Sequence, residues 1–114
     1  RLSLVGSEMC IRDRVKIRKQ HPDDGVNAIM AALEGHKSMK MVTIVDEDID
    51  IADPVRVEWA MVTRWQPDRD TVILSNQKGS SLDPSRYPDG TTAKVGFDAT
   101  IAHDADKSGF MSVQ

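Results

Sequence analysis

The stretch Met41–Val45, MVTIV, constrains this chain more than any other. Its apolar and β-branched residues follow one another without alternation, so a strand built from them has no solvent face. Such a strand needs cover on both sides, which points to helices layered on a mainly parallel sheet. Helical spacing flanks it. Val26, Ile29, Met30 and Leu33 form an apolar stripe after the turn HPDDG, where Asp23 or Asp24 can cap the helix and Gly35 can end it. Asp53-Pro54 predicts a second helix start, because the carboxylate accepts an orphan N–H and Pro fits the first helical position. Val57, Ala60, Met61 and Arg64 share one side of that helix, and Pro67 stops it. VKIR at Val15–Arg18 predicts the end of a first strand, and DTVILSN at Asp70–Asn76 a buried third one. The expectation is an α/β fold: a small layered domain of order strand-helix-strand-helix-strand, with right-handed crossovers. Gln77–Ala93 is rich in Gly, Pro and Ser and is expected to be a long functional or mobile loop. KVGFDAT, Lys94–Thr100, is expected as a short edge strand.

With 114 residues and a net charge of −3, the chain fits one small domain without a basic footprint for nucleic acid. No apolar run approaches the roughly 20 residues of a membrane span. The first 14 residues change composition abruptly, and from Leu4 the string LVGSEMCIRDR resembles a translated sequencing-adapter sequence. The expectation is that residues 1–14 are non-native and do not pack on the domain, with a genuine N-terminal arm as the alternative. Setting them aside removes Cys10 and leaves a charge of −4, hence no thiol, disulfide or cysteine-based zinc chemistry. Residues 15–103 are expected to form the domain and 104–114 a tail. An interrupted frame implies that the natural protein began before Val15.

Five carboxylates follow the apolar strand: Asp46, Glu47, Asp48, Asp50 and Asp53. The D-x-D-x-D opening suits a calcium loop, but Ile51 stands where Gly is needed and Val57 where the bidentate Glu should be. A receiver domain would need a phosphoacceptor Asp where Ser75-Asn76 stands. Two alternatives stay open on residues alone. Asp46 and Asp48 could hold a divalent metal, as in several nucleotide-sugar transferases. The run could instead be a solvated turn whose Asp50 and Asp53 satisfy backbone N–H groups.

The spaced motifs of the chain resemble the C-terminal domain of UbiD-type decarboxylases. They are Glu47-Asp48-Ile49-Asp50; Val57, Trp59 and Ala60; Thr63-Arg64; Pro67, Arg69 and Asp70; and Lys94, Gly96, Asp98, Ala99 and Thr100, with Lys40 before the strand. The resemblance covers about Val15 to Thr100. It implies an enzyme that reversibly decarboxylates aromatic or α,β-unsaturated acids with prenylated FMN, Mn²⁺ and K⁺, the cofactor supplying the chemistry. The best known member acts in ubiquinone biosynthesis. It further implies a cytoplasmic homodimer or homohexamer assembled through this domain.

The family's catalytic and metal-binding residues lie in a preceding domain, so none is expected here. The fragment alone is expected to be inactive, to bind no flavin tightly and to self-associate. His21, His36 and His103 are expected to be solvated. The resemblance makes the acidic run a turn and cap, and places Ser80, Ser81 and Leu82 in the substrate pocket, Leu82 facing substrate. Ser-Ser before the Leu suggests a roomier or more polar pocket, suited to a phenolic or polar acid. The other classes held open are a transferase fragment using Asp46 and Asp48, and a non-catalytic oligomerisation module.

Overall fold

Two apolar clusters on opposite faces of one sheet organise the chain. The computed structural model describes residues 3–5, 12–36 and 38–102, the first three through their backbone alone. In chain order the elements are β1 (Ser3–Val5), β2 (Arg12–Ile17), α1 (Asp24–Gly35), β3 (Met41–Asp46), α2 (Pro54–Arg64), β4 (Thr71–Lys78) and β5 (Thr91–Ala99). The sheet order is β1-β2-β3-β5-β4. As its apolar run demands, β3 lies at the centre, with Val42, Ile44 and Val45 fully buried.

One face is covered by α1. Its Ala28, Ile29, Ala32 and Leu33 pack with Val15, Ile17, Val42 and Ile44. The helix comes so close to β5 that a Cβ on Gly96 would lie 2.1 Å from Ile29 Cγ2. On the other face, Val57 and Ala60 of α2 pack with Val45, Ile49, Ile51 and Ala99. There Trp65 and Phe97 meet edge to face, 5.4 Å between ring centroids. Asp53 caps α2 by accepting the Val55 N–H at 3.0 Å. Asp23 stands at the N-cap of α1 without a side-chain cap bond, and Asp24 instead accepts the Gln20 and His21 N–H groups. Of the expected α1 stripe, Val26 is 39% exposed while Ile29 and Leu33 are buried.

The α/β layering is as expected, but the sheet is mixed. β2, β3 and β5 run parallel, while β1 pairs antiparallel with β2 and β4 with β5. KVGFDAT is therefore no edge strand: β5 sits between β3 and β4. DTVILSN instead forms an edge strand, with Ile73 67% exposed. Because β4 opposes β3 in direction, α2 does not complete a parallel crossover as α1 does. A register shift between Leu74 and Gln77 bends β4, and Asn76 takes a positive φ of 57° there.

The described residues of the N-terminal segment, 3–5 and 12–14, are also tied in. Ser3–Val5 pair with Arg14–Lys16, and Arg12–Arg14 pair with Met41–Thr43, with Asp13 buried. The expectation that this segment stands off the domain is corrected for these residues. The side chains of Leu4 and Val5, and all of Ile11 and Cys10, lie outside the described residues. Main-chain ladders form with many sequences, so the pairing carries no information on where the segment came from.

Candidate functional site

Parallel β2, β3 and β5 place the acidic run and the long loop at opposite ends of the sheet. Asp46 aligns with Ile17 at the C-terminal end of β3, while Lys78 pairs with Thr91 beyond the N-terminal end of β3. Ligands of open α/β sheets collect at the C-terminal strand ends. The expected pocket residues are at the other end, because the antiparallel β4 delivers its loop there.

At the acidic end, both candidate metal ligands are engaged by one guanidinium. Arg64 donates to Asp46 Oδ2 at 2.9 Å and bidentately to Asp48 Oδ1 and Oδ2 at 2.9 Å each. Arg64 is 3% exposed. Its guanidinium also lies 5.1 Å from the centroid of the Trp59 ring, which Arg56 approaches at 5.6 Å. Burial pushes Asp46 up from the usual carboxylate range, although it also accepts the Ile101 N–H. The hydrogen bonds from Arg64 hold Asp48 below that range. A cation at this D-x-D would have to displace the guanidinium. Asp50 accepts the Ala52 N–H at 3.0 Å and Asp53 caps α2, so these two serve the turn. No group of three His, Cys, Asp or Glu that could hold a metal stands together among the described residues. Of the histidines, His21 is exposed and His36 half-buried, and His103 lies outside the described residues.

The motifs nearest the C-terminal end of β5 form a polar hub. Asp98 accepts the Thr100 N–H and hydroxyl, and its N–H donates to the Asp70 carbonyl at 2.8 Å. Lys19 reaches Thr100 Oγ1 and the Ile101 carbonyl. Arg69 clasps Asp70 with two bonds of 2.8 Å. With Pro22 and Val26 these groups line a depression of about 530 Å³. Lys94 is buried, and burial pushes its amine down from the usual range.

At the opposite end, the connection is shorter than the sequence implied. β4 extends to Lys78 and β5 begins at Thr91, leaving Gly79–Gly90 as loop. Gly79 N–H donates to the Gly90 carbonyl at 2.8 Å, closing its base. Ser80 is half-buried and its Oγ accepts the Leu82 N–H at 3.1 Å, whereas Ser81 is exposed. Leu82 is 53% exposed, so it does not anchor the core of this domain. Its neighbour Asp83 is 6% exposed and accepts from Lys40 Nζ at 2.9 Å and from the Ser85 N–H and hydroxyl. The bonds from Ser85 and Lys40 hold the Asp83 carboxyl down at about 2.

These motifs decide the family. The model of the 3-octaprenyl-4-hydroxybenzoate carboxy-lyase C-terminal domain matches residues 8–99. The chain belongs to the UbiD C-terminal domain family. It is 53% identical over 91 residues to the anhydromevalonate phosphate decarboxylase of Aeropyrum pernix, a match covering 80% of this chain and 21% of that protein. It is 35% identical over 106 residues to the gallate decarboxylase of Lactiplantibacillus plantarum, covering 80% and 22%. Among solved structures it is similar to the UbiD-class enzyme HmfF of Pelotomaculum thermopropionicum in complex with FMN. That match has a TM-score of 0.84 and 39% identity over 90% of this chain and 23% of that one. An evolved dimeric form of HmfF in complex with prFMN matches at a TM-score of 0.66 and 32% identity, over 90% and 20%. The chain thus spans about a fifth of the length of the relatives it matches.

Sequence reasoning missed the partners of two groups it had singled out. Arg64 appeared as a family motif and a helix-face residue, yet it is the counter-ion of Asp46 and Asp48. Lys40 appeared as a motif residue, yet it holds Asp83, 43 positions away. An Arg on the apolar side of a helix was the available signal for the first, since a charge placed there needs a partner. No local pattern announces the second.

Proposed function

We propose that this chain is the C-terminal domain of a decarboxylase acting on a polar, α,β-unsaturated carboxylic acid of the anhydromevalonate phosphate kind. The observation that carries this is the 53% identity to an anhydromevalonate phosphate decarboxylase over 80% of the chain, against 35% to a gallate decarboxylase. An anhydro derivative of a hydroxy acid is an alkene acid, and a phosphate makes it strongly polar. Both features agree with the α,β-unsaturated substrate class and with the small, polar Ser80-Ser81 pair before Leu82. Aromatic and phenolic acids are the second choice.

Prenylated FMN, with Mn²⁺ and K⁺, is the proposed cofactor set of the whole enzyme, supported for the flavin by the complexes of HmfF. The described residues do not fit the metals, since Asp46 and Asp48 are held by Arg64. This domain's own contribution is to line the substrate side of the cleft with Ser80, Ser81 and Leu82, and to join copies of the enzyme, in the cytoplasm. No described helix is long and apolar enough to cross a membrane. Residues 1–14 are proposed to be foreign to the natural protein, 15–103 to be the domain and 104–114 a tail. By itself the chain is proposed to be inactive.

A chimera tests the reading. Residues 15–102 replace the matched segment of the Aeropyrum pernix enzyme, and flavin absorbance verifies that the product binds its cofactor. Decarboxylation of anhydromevalonate phosphate with a higher kcat/KM than of gallate is expected. A flavin-loaded chimera that prefers gallate, or turns over neither acid, contradicts the assignment.

A further inference from the structure

Leu82 and Asp83 invert the usual pattern. The apolar residue is 53% exposed and the charged one 6% exposed. Carboxylates are almost never buried without a partner, and here the partner is Lys40. Its Nζ donates to Asp83 Oδ2 at 2.9 Å and to Ser85 Oγ at 2.6 Å. The Ser85 hydroxyl in turn donates to Asp83 Oδ1 at 2.7 Å, and the Ser85 N–H to the same oxygen at 2.9 Å. Both carboxylate oxygens are thus engaged, while Leu82 beside them stays exposed.

The base of this arrangement is built into the sheet. Lys40 leads directly into β3, and its carbonyl accepts the Val95 N–H at 2.9 Å from β5. At its ends the loop is closed by pairing of Lys78 with Thr91 and by the Tyr87 N–H on the Thr91 carbonyl. Lys40 is the point where its middle is fixed. The Lys40 side chain is 31% exposed and that of Asp83 8%, so solvent reaches the pair through Lys40 and screens part of its stabilisation. What it supplies is geometry.

We propose that Lys40, Asp83 and Ser85 form a latch that sets where the Gly79–Gly90 loop presents Leu82, making Lys40 and Asp83 positioning residues for acid preference. The latch is a property of this chain; its effect on preference rests on the decarboxylase reading above.

Two measurements test it. In the 114-residue chain, Asp83→Asn keeps the side-chain shape and removes the charge. Amide exchange at Leu82, Asp83 and Ser85 should accelerate about tenfold or more while Val42–Val45 stay protected, which verifies that the variant is folded. Unchanged exchange in the loop overturns the latch. In the flavin-loaded chimera, Lys40→Met and Asp83→Asn should each shift the kcat/KM ratio between anhydromevalonate phosphate and a bulkier acid by about tenfold or more. The double variant should go no further than either single one, because both remove one interaction. A ratio that does not move, or a double variant that multiplies the single effects, overturns the positioning role. Failure of the unmodified chimera to turn over any acid would instead strike the decarboxylase reading and leave the exchange result standing.

Discussion

The carboxylate of Asp98 lies directly against Gly25. A Cβ built on Gly25 would stand 2.1 Å from Asp98 Oδ2. The turn that starts α1 and the motif that ends β5 thus meet in direct contact, and a side chain at residue 25 would have to displace the Asp98 carboxylate from its bonds to Thr100. Gly25→Ala is expected to destabilise the domain by about 1–3 kcal/mol through overpacking. Gly35, near the other end of the same helix, has nothing within 4 Å of its would-be Cβ. Gly35→Ala is expected to be neutral or stabilising by about 0.5–1 kcal/mol. Urea titration of the two variants checks the contrast. Equal effects would remove the Gly25–Asp98 contact as the cause.

Arg64→Met should be among the most damaging single changes in α2. It leaves Asp46 and Asp48 close together without the guanidinium that neutralises both. Breaking a buried pair from one side costs about 3–5 kcal/mol, and the lower end applies because Asp48 is partly solvated. Asp46→Asn and Asp48→Asn added to Arg64→Met should recover part of the loss. Arg64→Lys should rescue poorly, since a point charge cannot grip Asp48 with two bonds. A loss below about 1 kcal/mol for Arg64→Met in urea titration would contradict the ion-pair account.

The latch should survive well into acid. Asp83 is lowered from an ordinary 3.8 to about 2 by the hydrogen bonds from Ser85 and Lys40. A depressed carboxylate contributes fully above its unfolded pKa, and the contribution is lost as pH falls through the folded one. Loop hydrogen bonds should therefore persist at pH 4 and release only as pH approaches 2. Carbon-detected titration of the Asp83 carboxyl gives the midpoint directly. An ordinary midpoint near 3.8 would mean that the loop is unlatched in solution.

Features built from neighbouring residues were legible in the sequence. The buried strand at Met41–Val45 and the Asp53-Pro54 helix start rest on local chemistry and stand where they were expected, and the Gly- and Pro-rich loop lies inside its expected bounds but is shorter at both ends. Pairing partners were not legible. Whether TVILS is central or at an edge depends on which strand lies beside it, and β5 alternates buried Thr92, Lys94 and Asp98 with half-buried residues. Polar side chains at those positions suit an edge as well as a centre, yet Asp98 is buried against Gly25 and Thr100. The same limit hid Arg64 behind the acidic run, because its partners lie 16 and 18 positions away. The family resemblance supplied the loop as a candidate, and the structure supplied the latch that holds it.

The most direct test of the account is Leu82→Ala, followed by two quantities on the same variant. Leu82 is exposed in this domain, so its truncation should change the stability of the chain by less than about 0.5 kcal/mol. In the flavin-loaded chimera, the same change should alter the kcat/KM ratio between anhydromevalonate phosphate and a bulkier acid by about 10–200-fold, the value of one hydrophobic contact with substrate. A stable variant with a shifted ratio is the predicted result. An unchanged ratio would contradict the placement of this loop at the substrate.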